Sequence, residues 1–478
     1  MNRAILTFVF LALLLTTPVS ARKPAGDIDS FIDARADMFA HVALQIWDWA
    51  ELGYKEERSA ALLQQHLDAA GFRLRTGVAD IPTAFIAEYG SGAPVIGILA
   101  EFDALPGLSQ AAVPQRQPVV ADAPGHACGH HLFGAGSLAA ALATADWLER
   151  TGSAGTIRLY GTPAEEGGSG KVYMVRAGLF DDADAVLHWH PRDRNTAWAS
   201  TTLANKSAKF RFRGAAAHAA SAPERGRSAL DGVEAMNHMV NLMREHVPAA
   251  TRIHYVITRG GAAPNIVPEF AEVFYYVRHP DVTRLLGIWE RVVAASEGAA
   301  MGTGTAVEHE VIHGNYNVLP NEVLSHVMDQ SLQQVGGVLY DDSERAFAES
   351  LRATFGAVDM DVDLAAAAEV QPWRVHEGKA STDVGDVSWA VPTTGLSTAT
   401  WVPGTAAHSW QAVAAGGTTI GVKGMLVAGK TLARTAGSLF LDPATLEQAR
   451  AELDRQRGHS FDYAPLLGDR DPPLDYRD

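Results

Sequence analysis

Cysteine is almost missing from this chain: Cys128 stands alone in 478 residues. One thiol cannot close an internal disulfide, so Cys128 reads as a buried apolar filler, a reactive thiol or a metal ligand. Basic residues are also short, 39 Lys and Arg against 55 Asp and Glu, for a formal charge of −16. That balance argues against nucleic acid and anionic membrane surfaces as partners. Long apolar runs are missing too. The one at Ala4 to Leu15 is well short of the roughly 20 residues a spanning helix needs. No repeat of fixed period is visible.

What is present begins at that run. Arg3 precedes it and Val19-Ser20-Ala21 follows it, the pattern of a cleaved secretory signal over residues 1–21. A membrane anchor is the competing reading, disfavoured by length, and no cysteine follows for lipid attachment. The expectation is an exported chain, secreted or periplasmic, from about Arg22. At 478 residues and 47% hydrophobic, it exceeds what one core usually holds, which predicts two domains.

Helical periodicity in IDARADMFAHVALQIWDWAELGY and RSAALLQQHLDAAGF gives way to short apolar runs, TAFIAEYG and PVIGILAEFDALPG, that read as strands. A helix from HHLFGAGSLAAALATADWLER and a strand in GTIRLYGTPAEEGG continue an α/β alternation, expected to form a mostly parallel sheet covered by helices. Between Asn205 and about Gly314 the order becomes βαββαβ, a ferredoxin-like unit, most simply an insertion. The expected division is a catalytic domain over 22–204 and 316–455, an inserted domain over 205–315, and a polar, proline-bearing tail over 456–478. The stretch GAVDMDVDLAAAAEVQPWRVHEGKA has no clear period and reads as a long loop.

The lone cysteine sits in DAPGHACGHH, with His126, His130 and His131 beside it and glycines that permit a tight backbone. Thiolate and imidazole suit zinc or a similar metal, although a structural cysteine is nearly as good a reading of this motif alone. Downstream, GTPAEEGGSG carries Glu165 and Glu166. Adjacent side chains diverge, so one carboxylate can bind a metal while the other takes a proton from water, as metal-assisted hydrolysis needs. DAVLHWHPRD offers His188 and His190 on one strand face, with His190 preferred at the strand end. VPGTAAHSWQ adds His408. Any one of these histidines could be ordinary; their joint appearance points to a site.

The motifs LAEFDALPG, GHACGHH, GTPAEEGG, WHP, GAAAHAA, GRSALD, PNIVP, STDVGDVSW and PGTAAHSW occur in that order. So ordered, the sequence resembles the M20 metallopeptidases, in particular their amidohydrolase branch, over nearly the whole mature chain. The resemblance implies a dinuclear centre of two divalent ions, zinc or manganese, with Cys128 bridging them and His130, Glu166, His190 and His408 as further ligands. It implies Glu165 as general base and Asp103 as the acid that orients a metal-binding group. Glu101 stands where many members carry a ligand histidine. His131 stands where relatives often have Asp or Asn, and a hydrogen bond to a ligand is expected of it. On a lid that also forms a homodimer, the resemblance assigns His218 to the oxyanion of the neighbouring subunit's site, and Asn265 with Arg278 to the substrate's carboxylate.

The leading expectation is an amidohydrolase cleaving an N-acyl- or aminoacyl-amino acid, of the p-aminobenzoyl-glutamate or dipeptide kind, with a free carboxylate. A dipeptidase or aminopeptidase on free-amine substrates is the alternative, and a catalytically silent metal-binding protein a weaker one.

Overall fold

The computed structural model describes residues 28–356 and 362–477. The expected signal, 1–21, and part of the expected long loop, 357–361, lie outside the described residues. The remainder of that loop holds a short 3-10 turn at Leu364–Ala367 and a three-residue strand at Val375–Glu377.

A six-stranded sheet runs in the spatial order Arg73–Thr76, Phe85–Ser91, Gly155–Gly161, Val95–Ala100, Ala185–Arg192, Thr393–Ala399. The first two strands pair antiparallel; the other four are mutually parallel. Val95–Ala100 lies at the centre of the parallel part, and its unbroken apolar sequence VIGILA is what a strand covered on both faces requires. Helix His130–Thr151 is buried along most of its length, as an all-round apolar helix must be. Small residues let its neighbours approach: a Cβ on Gly136 would lie 2.8 Å from the Trp189 ring, and Gly429 of helix Thr419–Leu441 faces the Gly136 carbonyl. Among the described residues, no single helix is long and apolar enough to cross a membrane.

A second sheet of four strands has the order Ala306–Asn315, Ala204–Arg213, Phe270–His279, Arg252–Arg259, antiparallel throughout. The first and second strands in chain order flank the third, the split βαβ of a ferredoxin-like unit. Residues Ala204, Ala208, Phe210 and Phe212 of its first strand join the core with helices Ala229–Met243 and Val282–Thr303. The helix starts are fixed by Ser228 and Asp281, whose side chains accept from the backbone N–H of Asp231 and Arg284. The alternate residues, Asn205 and Ser207, are buried on the opposite face of the strand.

The segment expected to be a tail is not free. Leu466 and Leu467 are about 5% exposed, Tyr463 donates to Asp386 at 2.7 Å, and Arg470 reaches the carbonyls of Val311 and Ile312 on the last strand of the inserted unit. Tyr476 and Arg477 then donate to the carbonyl of Glu166. Its polarity and prolines hide this in sequence, because the segment is held by isolated apolar anchors such as Leu466 and Leu467 and by side-chain bonds to backbone carbonyls rather than by a periodic apolar face. Leu466→Ala should therefore lower the unfolding free energy by about 2–5 kcal/mol in a denaturant titration; an unchanged midpoint would mean that this segment carries no core contact.

Candidate metal centre

The four parallel strands share one direction, so their carboxyl ends open on one crevice, where ligand sites of α/β sheets form. The end of Val95–Ala100 delivers Glu101 and Asp103, the end of Gly155–Gly161 delivers Glu165 and Glu166, and the second half of strand Ala185–Arg192 carries His188 and His190. His408 arrives on the loop after Thr393–Ala399, its backbone N–H bonded to the carbonyl of Ala127. Cys128 and His130 stand at the start of helix His130–Thr151. Gly129 between them has φ 79°, and a Cβ there would sit 2.6 Å from Pro191. Only glycine meets both demands. A cavity of about 970 Å³ lies over these residues, roofed by the inserted unit.

Among the described residues, three sets of side chains converge: Cys128 with His130 and His190, Cys128 with Glu166 and His408, and Glu101 with His130 and Glu165. Cys128 thus belongs to two sets at once. Its Sγ lies 3.4 Å from Nε2 of His190, whose Nδ1 is 2.8 Å from the Pro191 carbonyl. With Nδ1–H donating there, Nε2 presents its lone pair to the centre. Asp103 ties the ligand segments together: one oxygen is 2.8 Å from Nδ1 of His130 and the other accepts from the Glu166 N–H at 2.9 Å.

The donor set fits a cation. His130 Nε2 is 3.1 Å from Glu101 and His408 Nε2 is 3.3 Å from Glu166, yet His130 Nε2, Glu101 Oε2 and Glu166 Oε1 are buried without any hydrogen bond. Groups this near but misaligned with each other are arranged around a common point instead. Burial drives the Glu165 carboxyl well above its ordinary range, and Glu101, Glu166 and Asp383 push it further. Burial alone would depress His130, but Cys128, Asp103 and Glu101 outweigh it and hold the imidazole well above its ordinary value. Cys128 and Glu166 raise His408 to about 10. A divalent ion relieves this crowding of negative charge, and thiolate, imidazole and carboxylate are the ligands a zinc or manganese ion takes.

Several supporting residues carry no sequence signal. Lys171 is fully buried, its ammonium 2.7 Å from both Glu101 and Asp383. Glu101 is thus held by a lysine. Glu56, also buried, accepts from the Ala164 N–H at 2.8 Å and from Thr83. That bond anchors Ala164 at φ 57°, a left-handed conformation costly to a non-glycine residue, immediately before Glu165. The tail contacts on the Glu166 carbonyl hold the same turn from its other side.

One expectation changes. His131 hydrogen-bonds no candidate ligand; its Nε2 lies 3.0 Å from the Gly416 carbonyl, on the side of the helix away from the crevice. His188 lines the cavity along with His190, but joins none of the three converging sets. Asn265 and Arg278 do not meet within one chain. Arg278 lines the cavity, whereas Asn265 is exposed, its carbonyl accepting from the Ala219 N–H beside His218. The turn between the two strands carries Asn265 to the far end of the inserted unit.

The sequence profile of peptidase family M20/M25/M40 matches residues 97–355. The chain is 42% identical over 450 residues to one of the subunits of p-aminobenzoyl-glutamate hydrolase of Escherichia coli (strain K12), covering 89% of this chain and 94% of that protein. It is 30% identical over 438 residues to Xaa-Arg dipeptidase of Mus musculus, covering 88% and 90%. An aminobenzoyl-glutamate utilization protein from Klebsiella pneumoniae has the same fold, with a TM-score of 0.60 at 19% identity over 86% of this chain and 98% of that one. The chain belongs to peptidase family M20/M25/M40, and it is an amidohydrolase of that metal-dependent family.

If Cys128 is shared between two cation positions, Cys128→Ala should lower bound metal and activity together. Elemental analysis of the purified variant decides this, and full metal occupancy would leave Cys128 a filler.

Proposed function

We propose that the chain hydrolyses the amide bond of an N-acyl- or aminoacyl-amino acid bearing a free carboxylate, with p-aminobenzoyl-glutamate as the first substrate to try. The observation that carries this reading is the double membership of Cys128 in converging ligand sets, in a cavity that Glu165 and Arg278 also line. Two divalent ions, zinc or manganese, would be held by Cys128, His130, Glu166, His190 and His408. When bound, they would polarise the scissile carbonyl and lower the pKa of a nearby water.

The chain's own groups supply the rest. Glu165 takes the proton of the attacking water and delivers it to the leaving nitrogen. A raised proton affinity makes Glu165 the stronger base for the first step, and nearby cations, by lowering that affinity, keep the carboxylate ionised beforehand and ease release of the proton in the second. Asp103 fixes the ring of His130. Arg278, its Nε buried without a partner, presents a planar fork to the substrate's carboxylate. A second reading, a dipeptidase acting on free-amine substrates, is supported by the relative named Xaa-Arg dipeptidase. Turnover on a panel of N-acyl-amino acids, p-aminobenzoyl-glutamate and dipeptides separates the two.

The active form proposed is a homodimer joined through the inserted unit, exported to the periplasm or outside the cell. Its edge strand Arg252–Arg259 exposes Tyr255, Val256 and Ile257, the adjacent helix exposes Met239 and Leu242, and Ile266 beside His218 is 52% exposed. An open edge with an apolar face needs cover. His218 is exposed and does not line its own chain's cavity, so it would hold the oxyanion in the site of a second copy. Two relatives from Escherichia coli are named as different subunits of one hydrolase; a related chain in place of a second copy would leave this protein monomeric when purified alone.

Glu165→Ala should keep its metal and lose about 10²–10⁴-fold or more in kcat; a folded, metal-loaded variant of near-normal activity would remove Glu165 from the mechanism. Mixing Glu165→Ala chains with His218→Ala chains under subunit exchange should restore roughly a quarter of the sites if each site is shared in a two-fold dimer. No recovery despite proven exchange would assign His218 to its own chain.

A further inference from the structure

The roof of the cavity holds polar groups that no hydrogen-bond partner among the described residues satisfies. Asn205 is 1% exposed, and both its Nδ2 and its Oδ1 are buried without a hydrogen-bond partner. It lies at the start of Ala204–Arg213, directly opposite Arg278 on one neighbouring strand and Asn315 on the other. Residues opposite each other on paired strands project from the same face, and Asn205 and Arg278 both line the cavity. Arg278 Nε lacks a partner there, as does Oγ of Ser381 on the cavity's rim. Asn315 differs: its Nδ2 donates to the carbonyls of Tyr316 and Thr382, so it has a structural role that Asn205 lacks.

A buried amide with both ends unmet is a net loss to the fold. A leucine of similar shape would remove that loss, so the asparagine needs another reason to be there. Its two ends ask for different things. Nδ2 offers hydrogens to an acceptor, while Oδ1 needs a hydrogen from a donor. A carboxylate alone answers only the first. In an N-acyl-amino acid, the α-carbon that carries the carboxylate also carries one N–H, that of the amide to be cut.

We propose that Asn205 is a specificity-determining residue that reads the leaving amino acid as a unit. Its Nδ2–H and the Arg278 guanidinium donate to the α-carboxylate, and its Oδ1 accepts the N–H on the same α-carbon. The inference rests on the amidohydrolase reading above and narrows its substrates to secondary amides of α-amino acids. Tertiary amides, with an N-alkyl group in place of that hydrogen, are excluded.

The test compares wild type with Asn205→Leu on p-aminobenzoyl-glutamate and on its analogue methylated at the amide nitrogen, with a melting curve for each protein. Wild type should reject the methylated analogue at least tenfold in kcat/KM. Asn205→Leu should raise KM for the parent substrate at least tenfold, lose most of that discrimination, and melt at the same or a higher temperature. Unchanged KM and unchanged discrimination in the variant would overturn the proposal. So would a melting temperature lowered by several degrees, because the asparagine would then be structural. No turnover of either compound or of any other N-acyl-amino acid by the metal-loaded wild type would refute the amidohydrolase reading itself, and this inference with it.

Discussion

The constraint on which the rest depends is electrostatic. Glu101, Asp103, Glu165, Glu166 and Asp383 are gathered with the Cys128 thiol at the carboxyl ends of four parallel strands, where little water reaches. Burial and mutual repulsion raise Glu101, Glu165 and Asp383 above their ordinary carboxylate range. Such a cluster is unfavourable unless positive charge enters it. Lys171 supplies one charge from within, buried between Glu101 and Asp383. The remaining excess lies where Cys128, Glu166, His130, His190 and His408 converge, and divalent ions are the natural complement.

The fold keeps that cluster from relaxing. Asp103 is held by His130 and the Glu166 N–H, and the turn before Glu165 by Glu56. The C-terminal segment bonds the Glu166 carbonyl and, through Arg470, the last strand of the inserted unit. The Ser169 hydroxyl also meets His313 of that strand in a short contact. The loop bearing the proposed base is thereby tied to the roof bearing Arg278, which links chemistry on one unit to substrate recognition on the other.

Much of this was legible in the sequence because it depends on local pattern. The apolar run VIGILA, the glycines around Cys128, the Glu165-Glu166 pair at a strand end and the βαββαβ order each follow from spacing and residue type. What stayed hidden depends on long-range contacts. Lys171 meets Asp383 more than two hundred residues along the chain. Asn205 becomes notable only when its neighbours on both adjacent strands are known. Asn265 and Arg278, thirteen residues apart, look like partners in sequence, yet the turn between their strands sends them to opposite ends of one sheet. The C-terminal segment has no periodicity to read, since its side chains bond backbone carbonyls.

A site driven by charge predicts that metal entry displaces protons, because groups held protonated by repulsion must release them to bind or neighbour a cation. The direct measurement is calorimetric titration of metal-stripped protein with Zn²⁺ or Mn²⁺ near neutral pH, in buffers of differing ionisation enthalpy. Saturable binding of two equivalents with net proton release is the predicted result. Absence of saturable binding, or binding that releases no protons, would contradict it.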